Sequence, residues 1–305
     1  MKSKTEELLK LISNWDGTFT GAFNIREDGS CAGRQSTEHI KIETKQDLPG
    51  LDIRILPGTK GETVSIPACV THGDVDDLVY NDFYVGEYAD VTIVAGCGVH
   101  TENGEPARHN GIHRFFLEKG ARVKYVEKHV GTGRGAGIRS IDPVTQCDLK
   151  EDAVLEMDTS QIGGVDRTTR KTKATLGKGA KLVIRERLLT EGEQQAHTDF
   201  EVVMEGEGST VNLVSRSVAR GDSYQAYRSR IVGNVPCAGH SECDAIIADR
   251  GRVDASPELV ANHGDAALIH EAAIGKIAGE QIMKLRTLGL TEQEAEEKIV
   301  EGFLS

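Results

Sequence analysis

Three side chains near the end of the chain have the chemistry to bind a soft or borderline metal, or to carry sulfur. They are the thiol of Cys243 and the imidazole–carboxylate pair His270–Glu271. A thiolate accepts sulfane sulfur as a persulfide and ligates iron, provided its neighbours lower or match its basicity. Taken alone, Cys243 in Glu242-Cys243-Asp244-Ala245-Ile246-Ile247 reads as an inward-facing structural cysteine on a strand. His270 and Glu271 are adjacent, so on a regular strand they face opposite ways, and their joint use requires a bend or a site shared between two subunits. A second constellation, Cys97-x2-His100-x8-His109-x3-His113, holds four candidate zinc ligands. Its spacing fits no common zinc module, and His109 and His113 read as flanking the glycine of a turn. His129 reads as a satisfied core histidine.

These residues need a scaffold, and a turn-and-strand pattern that recurs five times supplies one. It reads Gly86-Glu87-Tyr88-Ala89, Glu118-Lys119-Gly120-Ala121, Lys150-Glu151-Asp152-Ala153, Gly177-Lys178-Gly179-Ala180 and Gly206-Glu207-Gly208-Ser209. From one small residue to the next the spacings are 32, 32, 27 and 29 residues, the signature of a repeat architecture. Each turn lies between alternating runs such as Ile112–Leu117 and Val123–Val126, as in strands with one buried face. Helical periodicity is absent from about Gly21 to Val260, so stacked β-rungs explain the pattern better than βαβ units or a sandwich of hairpins. Helices belong to the ends. Ser3 with Glu6 and the stripe Leu8, Leu11, Ile12, Trp15 predict a helical cap over residues 1–20. After a core over 21–265, a helical segment over 266–305 is expected. In it Ile282, Leu285 and Leu288 form one stripe, and Thr291 with Glu294 opens a last helix with Ala295, Ile299 and Phe303 on its apolar face.

Composition narrows the function classes. At 305 residues the chain can bury a sizeable core, and its formal charge of -12 argues against nucleic acid or an acidic membrane surface as partner. No stretch has the apolar length of a membrane span and the start lacks a signal-peptide core, so a cytoplasmic protein is expected. Six scattered cysteines, none in a Cys-x-x-Cys pair, read as thiols in a reducing compartment. Gly131–Gly137 has the glycines of a phosphate loop without its spacing or helix, and no nucleotide-hydrolysis motif occurs, so any ATP hydrolysis has to come from a partner. The basic run Arg167, Arg170, Lys171, Lys173 reads as a solvated face. A β-helix carbohydrate-active enzyme is disfavoured, since aromatics are 5% of residues and Trp15 is the only tryptophan.

The order Cys243, then Ile269-His270-Glu271-Ala272-Ala273-Ile274-Gly275, then Gly302-Phe303 resembles the C-terminal part of the SufB/SufD family, scaffold subunits of iron-sulfur cluster assembly. The likeness extends to Gly96-Cys97-Gly98, and in its short length the chain resembles the compact SufB-like subunits of archaea and anaerobes. The resemblance implies a right-handed parallel β-helix. It implies that Cys243 holds the nascent cluster or its sulfur, and that Cys97 receives sulfur and passes it inside the helix. His270 and Glu271 match two members of a Glu-His-Glu motif, with Ile269 where the first Glu stands. SufD proteins keep the histidine and lack the cysteine, so a SufD-like structural partner is the alternative. By the same resemblance the terminal helices, through Ile282, Leu285, Ile299 and Phe303, dock a SufC-like ABC-type ATPase. The expectation is therefore a non-enzymatic scaffold that holds a transient iron-sulfur cluster, works with a sulfur donor, and forms a homodimer or a SufB/SufD-like heterodimer. Reduced flavin is carried as a second candidate cofactor beside the cluster.

Overall fold

The computed structural model describes every residue except Met1 and Asn14. Two ten-stranded sheets face each other, and the chain alternates between them. The first sheet runs from the hairpin Ala22–Glu27 and Ser30–Gln35 through Lys60–Val70, Asp90–His100, Arg122–Thr132, Val154–Ile162, Lys181–Thr190, Thr210–Ala219 and Cys237–Ile247 to Ala266–Gly275. The second begins with Ile40–Thr44 and Gly50–Ile55 and continues through Val75–Val85, Ala107–Leu117, the short strands Arg139–Ile141 and Val144–Leu149, Arg167–Leu176, Gln195–Met204 and Tyr224–Gly233 to Arg252–Ala261. Beyond the two N-terminal hairpins every pairing is parallel. A sandwich of hairpins is thereby excluded, and the chain is a β-solenoid of about eight turns.

The repeated tetrad is the corner of each turn. Ala89, Ala121, Ala153, Ala180 and Ser209 are fully buried, and each donates its N–H to the carbonyl three residues back, at 3.0 to 3.2 Å. The residue before each one is left-handed: Tyr88, Gly120, Asp152, Gly179 and Gly208 have φ of 56 to 73°. Glycine and aspartate tolerate that conformation best, which accounts for the composition of the tetrad. Inside, the inward positions nearest this corner are apolar, as with Val123 and Tyr125, Leu155 and Met157, Leu182 and Ile184. Farther along the same strands the inward positions turn polar, with Glu127 and His129, Thr159 and Gln161, then Glu186, Ser215 and Ser217. The solenoid thus has an apolar half and a polar half.

The ends differ from the sequence expectation in three respects. The N-terminal helix, Ser3–Ser13, lies across the outer face of the first sheet, where Leu8, Leu9 and Ile12 pack with Ile25 and Cys69. A Cβ at Gly96 would stand 2.7 Å from the carbonyl oxygen of Ile12, so the missing side chain is what lets the helix touch the sheet. The antiparallel hairpins, rather than the helix, cover the first rung. Leu11 of the expected stripe is exposed, and Leu9 is buried in its place. At the other end, Ala266–Gly275 falls within the segment expected to be helical but is a strand, because its alternating Ala266, Leu268 and His270 continue the rung register of Cys237–Ile247. The helices are Gly279–Thr287 and Glu292–Phe303, the second opened by the expected capping box of Thr291 and Glu294. Among the described residues no helix is long and apolar enough to cross a membrane.

Corner glycines should separate into two classes in a chemical denaturation series. A Cβ at Gly206 would lie 1.9 Å from the backbone nitrogen of Lys178, so Gly206→Ala should cost on the order of 2–4 kcal/mol. Gly208 has φ of 73° with nothing within 4 Å of its Cβ position. Gly208→Ala should cost about 1–2 kcal/mol from backbone conformation alone.

Candidate functional site

Cys243 is inward-facing and buried on the next-to-last strand of the first sheet. Register pairs it with Ala272 of the last strand, while His270 pairs with Ser241. Cys243 and His270 are therefore diagonal neighbours on one inner face, about 8 Å apart between Cα atoms from the strand spacing and rise. The Nδ1 of His270 is buried and makes no hydrogen bond. Glu271 points out to solvent, where it accepts from Nε2 of His240 at 3.2 Å and pairs in register with Glu242. The adjacent His and Glu thus lie on opposite faces, and no bend unites them. Among the described residues no group of three or more His, Cys, Asp or Glu side chains could hold a metal. Burial, then the charges of Glu186 and Asp244, push the Cys243 thiol up to about 12.

Cys97 is also inward-facing, close to the N-terminal end of the polar half. His109 and His113 face the same interior from Ala107–Leu117, so Gly111 between them is mid-strand and not at a turn. His100 points the other way, bonding Thr132 at 2.8 Å with Glu102 at 3.2 Å, which takes it out of any shared zinc site. Burial, then the charge of Glu127, holds the Cys97 thiol well above its ordinary value.

Between the two cysteines runs a buried polar network centred on Arg170. This residue, expected on a solvated face, is inward-facing and 5% exposed. Its guanidinium reaches Glu127 Oε2 at 2.7 Å, Glu186 Oε1 at 3.4 Å and Nδ1 of His129 at 3.3 Å. Burial opposes the charge on Glu127, yet His129 and Arg170 outweigh it and hold that carboxyl well below the usual range. On one side Tyr125 donates to Glu127 at 2.7 Å and meets His113 at 2.8 Å. On the other, Thr198 and Ser215 each donate to Glu186 at 2.9 Å, and Ser215 stacks in register on Cys243. Glu127, Thr159, Glu186, Ser215 and Cys243 form one column of the first sheet. Cys97 and His129 lie in register on each other, beside that column.

The expected docking residues lie outside this interior. Ile299 and Phe303 line an open groove with Ala272, Ile274 and Ile277, beside the last strand. Ile282 lines a separate groove with Met283 and Arg286, and Leu285 is half-buried.

The family model for the SUF system FeS cluster assembly SufBD core domain matches residues 80–303. The chain belongs to the SufBD family. It is 32% identical over 271 residues to an iron-sulfur cluster assembly SufBD family protein of Methanothermobacter thermautotrophicus, an alignment that covers 86% of this chain and 64% of the relative. A relative so described from Archaeoglobus fulgidus is 29% identical, covering 89% of this chain and 72% of its own. One from Methanocaldococcus jannaschii is 25% identical, covering 88% and 86%. The chain thus spans less than two thirds of the length of the Methanothermobacter protein. Within this SufBD chain the matched span includes Cys97, Arg170, Cys243 and both members of the His270–Glu271 pair.

Arg170 is the residue that sequence reasoning missed, and removing it should expose its weight. Arg170→Ala leaves Glu127 and Glu186 buried without their cation, and should lower stability by about 3–5 kcal/mol in denaturant titration. Exposed Lys171→Ala should change it by less than about 0.5 kcal/mol. Because both inner thiols are held protonated at neutral pH, iodoacetamide should label exposed Cys31 well before Cys97 or Cys243. Native-state labelling of Cys243 should keep rising with pH up to about 12.

Proposed function

We propose that this SufBD chain is a SufB-like scaffold on which an iron-sulfur cluster is built at Cys243. The observation that carries this reading is the polar track through the solenoid, which runs from His129, in register with the buried thiol of Cys97, to Ser215, in register with that of Cys243, with His270 diagonal to the second. A merely structural cysteine needs no such path, and buried polar groups cost free energy unless they are paired. Sulfur accepted at Cys97 passes along the polar half to Cys243, shielded from bulk water by the two sheets. Iron, with the sulfur, is the cargo. Cys243 supplies a thiolate and His270 a free imidazole nitrogen, both suited to iron.

Among the described residues one chain does not hold a complete ligand set. The exposed last strand, Ala266–Gly275, lies directly beside Cys243, so a second copy or a SufD-like partner covering that edge would bring further ligands to the same place. Glu271 belongs to the outer face and serves that junction rather than the inner site. The paired helices Gly279–Thr287 and Glu292–Phe303, with half-buried Ile282, Leu285, Ile299 and Phe303, are the surface proposed for an ABC-type ATPase.

Iron and acid-labile sulfide analysis of protein purified without oxygen, with its ATPase co-expressed, tests the reading. Cys243→Ser should remove bound iron and sulfide outright, since a hydroxyl is a poor ligand for soft metals. His270→Ala should weaken retention, and Cys97→Ser should slow loading from a sulfur donor without preventing chemical reconstitution. Unchanged iron and sulfide in folded Cys243→Ser would replace this reading with the SufD-like one. Removing residues 283–305 should abolish co-purification with the ATPase while the rungs stay folded by circular dichroism. Equal recovery of the ATPase would place docking elsewhere.

A further inference from the structure

The N-terminal end of the polar half is closed by the ion pair of Arg26 with Asp77. Arg26 lies in the column of Cys97, two strands nearer the end, through the register Arg26–Ala68–Cys97. It reaches across the interior to Asp77, with Nε donating to Oδ2 at 2.8 Å and to Oδ1 at 3.0 Å and Nη2 donating to Oδ1 at 2.6 Å. His109 holds the same carboxylate through Nδ1 at 3.0 Å. The preceding strand of the second sheet starts opposite Tyr80, so among the described residues no strand pairs outside Asp77, and only the hairpin turn at Gly29 comes near its carboxylate, a Cβ there lying 3.5 Å from Oδ1. The Arg26 side chain is 17% exposed and that of Asp77 is 3% exposed. This pair is the boundary between solvent and interior.

Behind it is a cavity of about 20 Å³ lined by Asn24, Arg26, Asn81, Cys97, His109 and His113, room for a single atom the size of a water or a sulfur. The hydrogen bonds around it have a fixed direction. Tyr125 gives its proton to Glu127 at 2.7 Å, so its oxygen accepts from Nδ1 of His113 at 2.8 Å. Burial holds His113 neutral, with its pKa lowered to about 4, and its Nε2 therefore accepts from Nδ2 of Asn81 at 3.3 Å. Asn81 is 5% exposed, and its Oδ1 is left without a donor. An occupant that donates a hydrogen completes the chain.

We propose that this cavity is the receiving site for one sulfane sulfur on Cys97, with Asn81 Oδ1 accepting from the terminal S–H and the Arg26–Asp77 pair acting as its door. The proposal rests on the reading of Cys97 as sulfur acceptor. The donor is a persulfide, R–S–SH. The Cys97 sulfur attacks its terminal sulfur, a new S–S bond forms at Cys97, and the donor's S–S bond breaks. The proton of the Cys97 thiol leaves on the departing thiol, R–SH, and no net oxidation or reduction occurs. The new sulfur stands about 2 Å beyond Sγ, on the cavity side.

The test uses the full chain under anaerobic conditions, with inorganic disulfide (HS–S⁻) as the sulfur probe and iodoacetamide as the access probe, both read at Cys97 by peptide mass spectrometry. Arg26→Ala should speed both reactions about ten-fold, since it removes a bidentate charged pair, and Asp77→Asn should act in the same direction. Asn81→Ala should leave labelling of the bare thiol unchanged but shorten the life of the Cys97 persulfide about five-fold, the weight of one hydrogen bond. Buried Cys147 serves as the fold control. Wild-type access rates in a door variant whose Cys147 stays protected would overturn the door, and an unaltered persulfide lifetime in Asn81→Ala would overturn the acceptor. Faster iodoacetamide labelling in Arg26→Ala with no sulfur uptake in any variant would overturn the receiving site together with the sulfur-acceptor reading, while sulfur uptake at equal rates in all variants would overturn this inference alone.

Discussion

Parallel, in-register stacking governs this molecule. Each rung hydrogen-bonds to the rungs on either side, so the face a residue presents and the column it joins are passed from rung to rung. A slip of one residue would send every inward side chain to solvent. The left-handed corner resets the count each time, with a buried alanine or serine at Ala89, Ala121, Ala153, Ala180 and Ser209 leaving no room for a second arrangement. Alignment of Glu127, Thr159, Glu186, Ser215 and Cys243 in one column follows from that constraint. A site residue in such a fold is placed by the rungs before it as much as by its own strand.

A polar column inside a solenoid is costly, and Arg170 makes it tolerable. Two carboxylates buried without a cation would protonate or draw the rungs apart. With Arg170 between them, and with Thr198 and Ser215 donating to Glu186, both keep partners. The cluster still has two carboxylates to one guanidinium, and this surplus of negative charge bears on the thiols. Glu127 raises Cys97 and Glu186 raises Cys243, each adding to burial. A protonated thiol is a poor nucleophile and resists oxidation. The same network that lies between the two cysteines therefore keeps both quiet until something alters the local charge.

The corner repeat was legible because it has chemical punctuation: glycine or aspartate at a left-handed position, then a residue small enough to stack. The thiols and the His270–Glu271 pair were legible as types, and the opposite facing of His270 and Glu271 followed from strand parity. Arg170 was hidden by its company. Arg167, Lys171 and Lys173 are outward, and a basic run reads as a solvated face, yet Arg170 shares parity with buried Thr168, Thr172, Ala174 and Leu176. That alternation was the available signal. The glycine of His109-Gly111-His113 suggested a turn, whereas it spares space beside two imidazoles, a Cβ there lying 3.1 Å from Nε2 of His113. The diagonal approach of His270 to Cys243 was not legible at all, since it depends on which residues of successive rungs pair.

The two ends of the solenoid are unequal in a way that gives the polar track a direction. At the N-terminal end, antiparallel hairpins occupy both sheet edges and Arg26 closes the gap between them. At the C-terminal end, Arg252–Ala261 and Ala266–Gly275 have no partner on their outer edges among the described residues, and Ile269 is 57% and Ile274 41% exposed. An uncovered edge of that length invites another strand, and natural proteins either blunt such edges or use them. Pro257 removes one donor from the edge of the second sheet, whereas the last strand of the first sheet has no proline and so keeps its full row of donors. The better template for pairing is therefore the strand next to Cys243. On the proposed reading, a partner that satisfies this edge arrives beside a thiol and a free imidazole nitrogen that lack further ligands, so that covering the edge and completing the site become the same event.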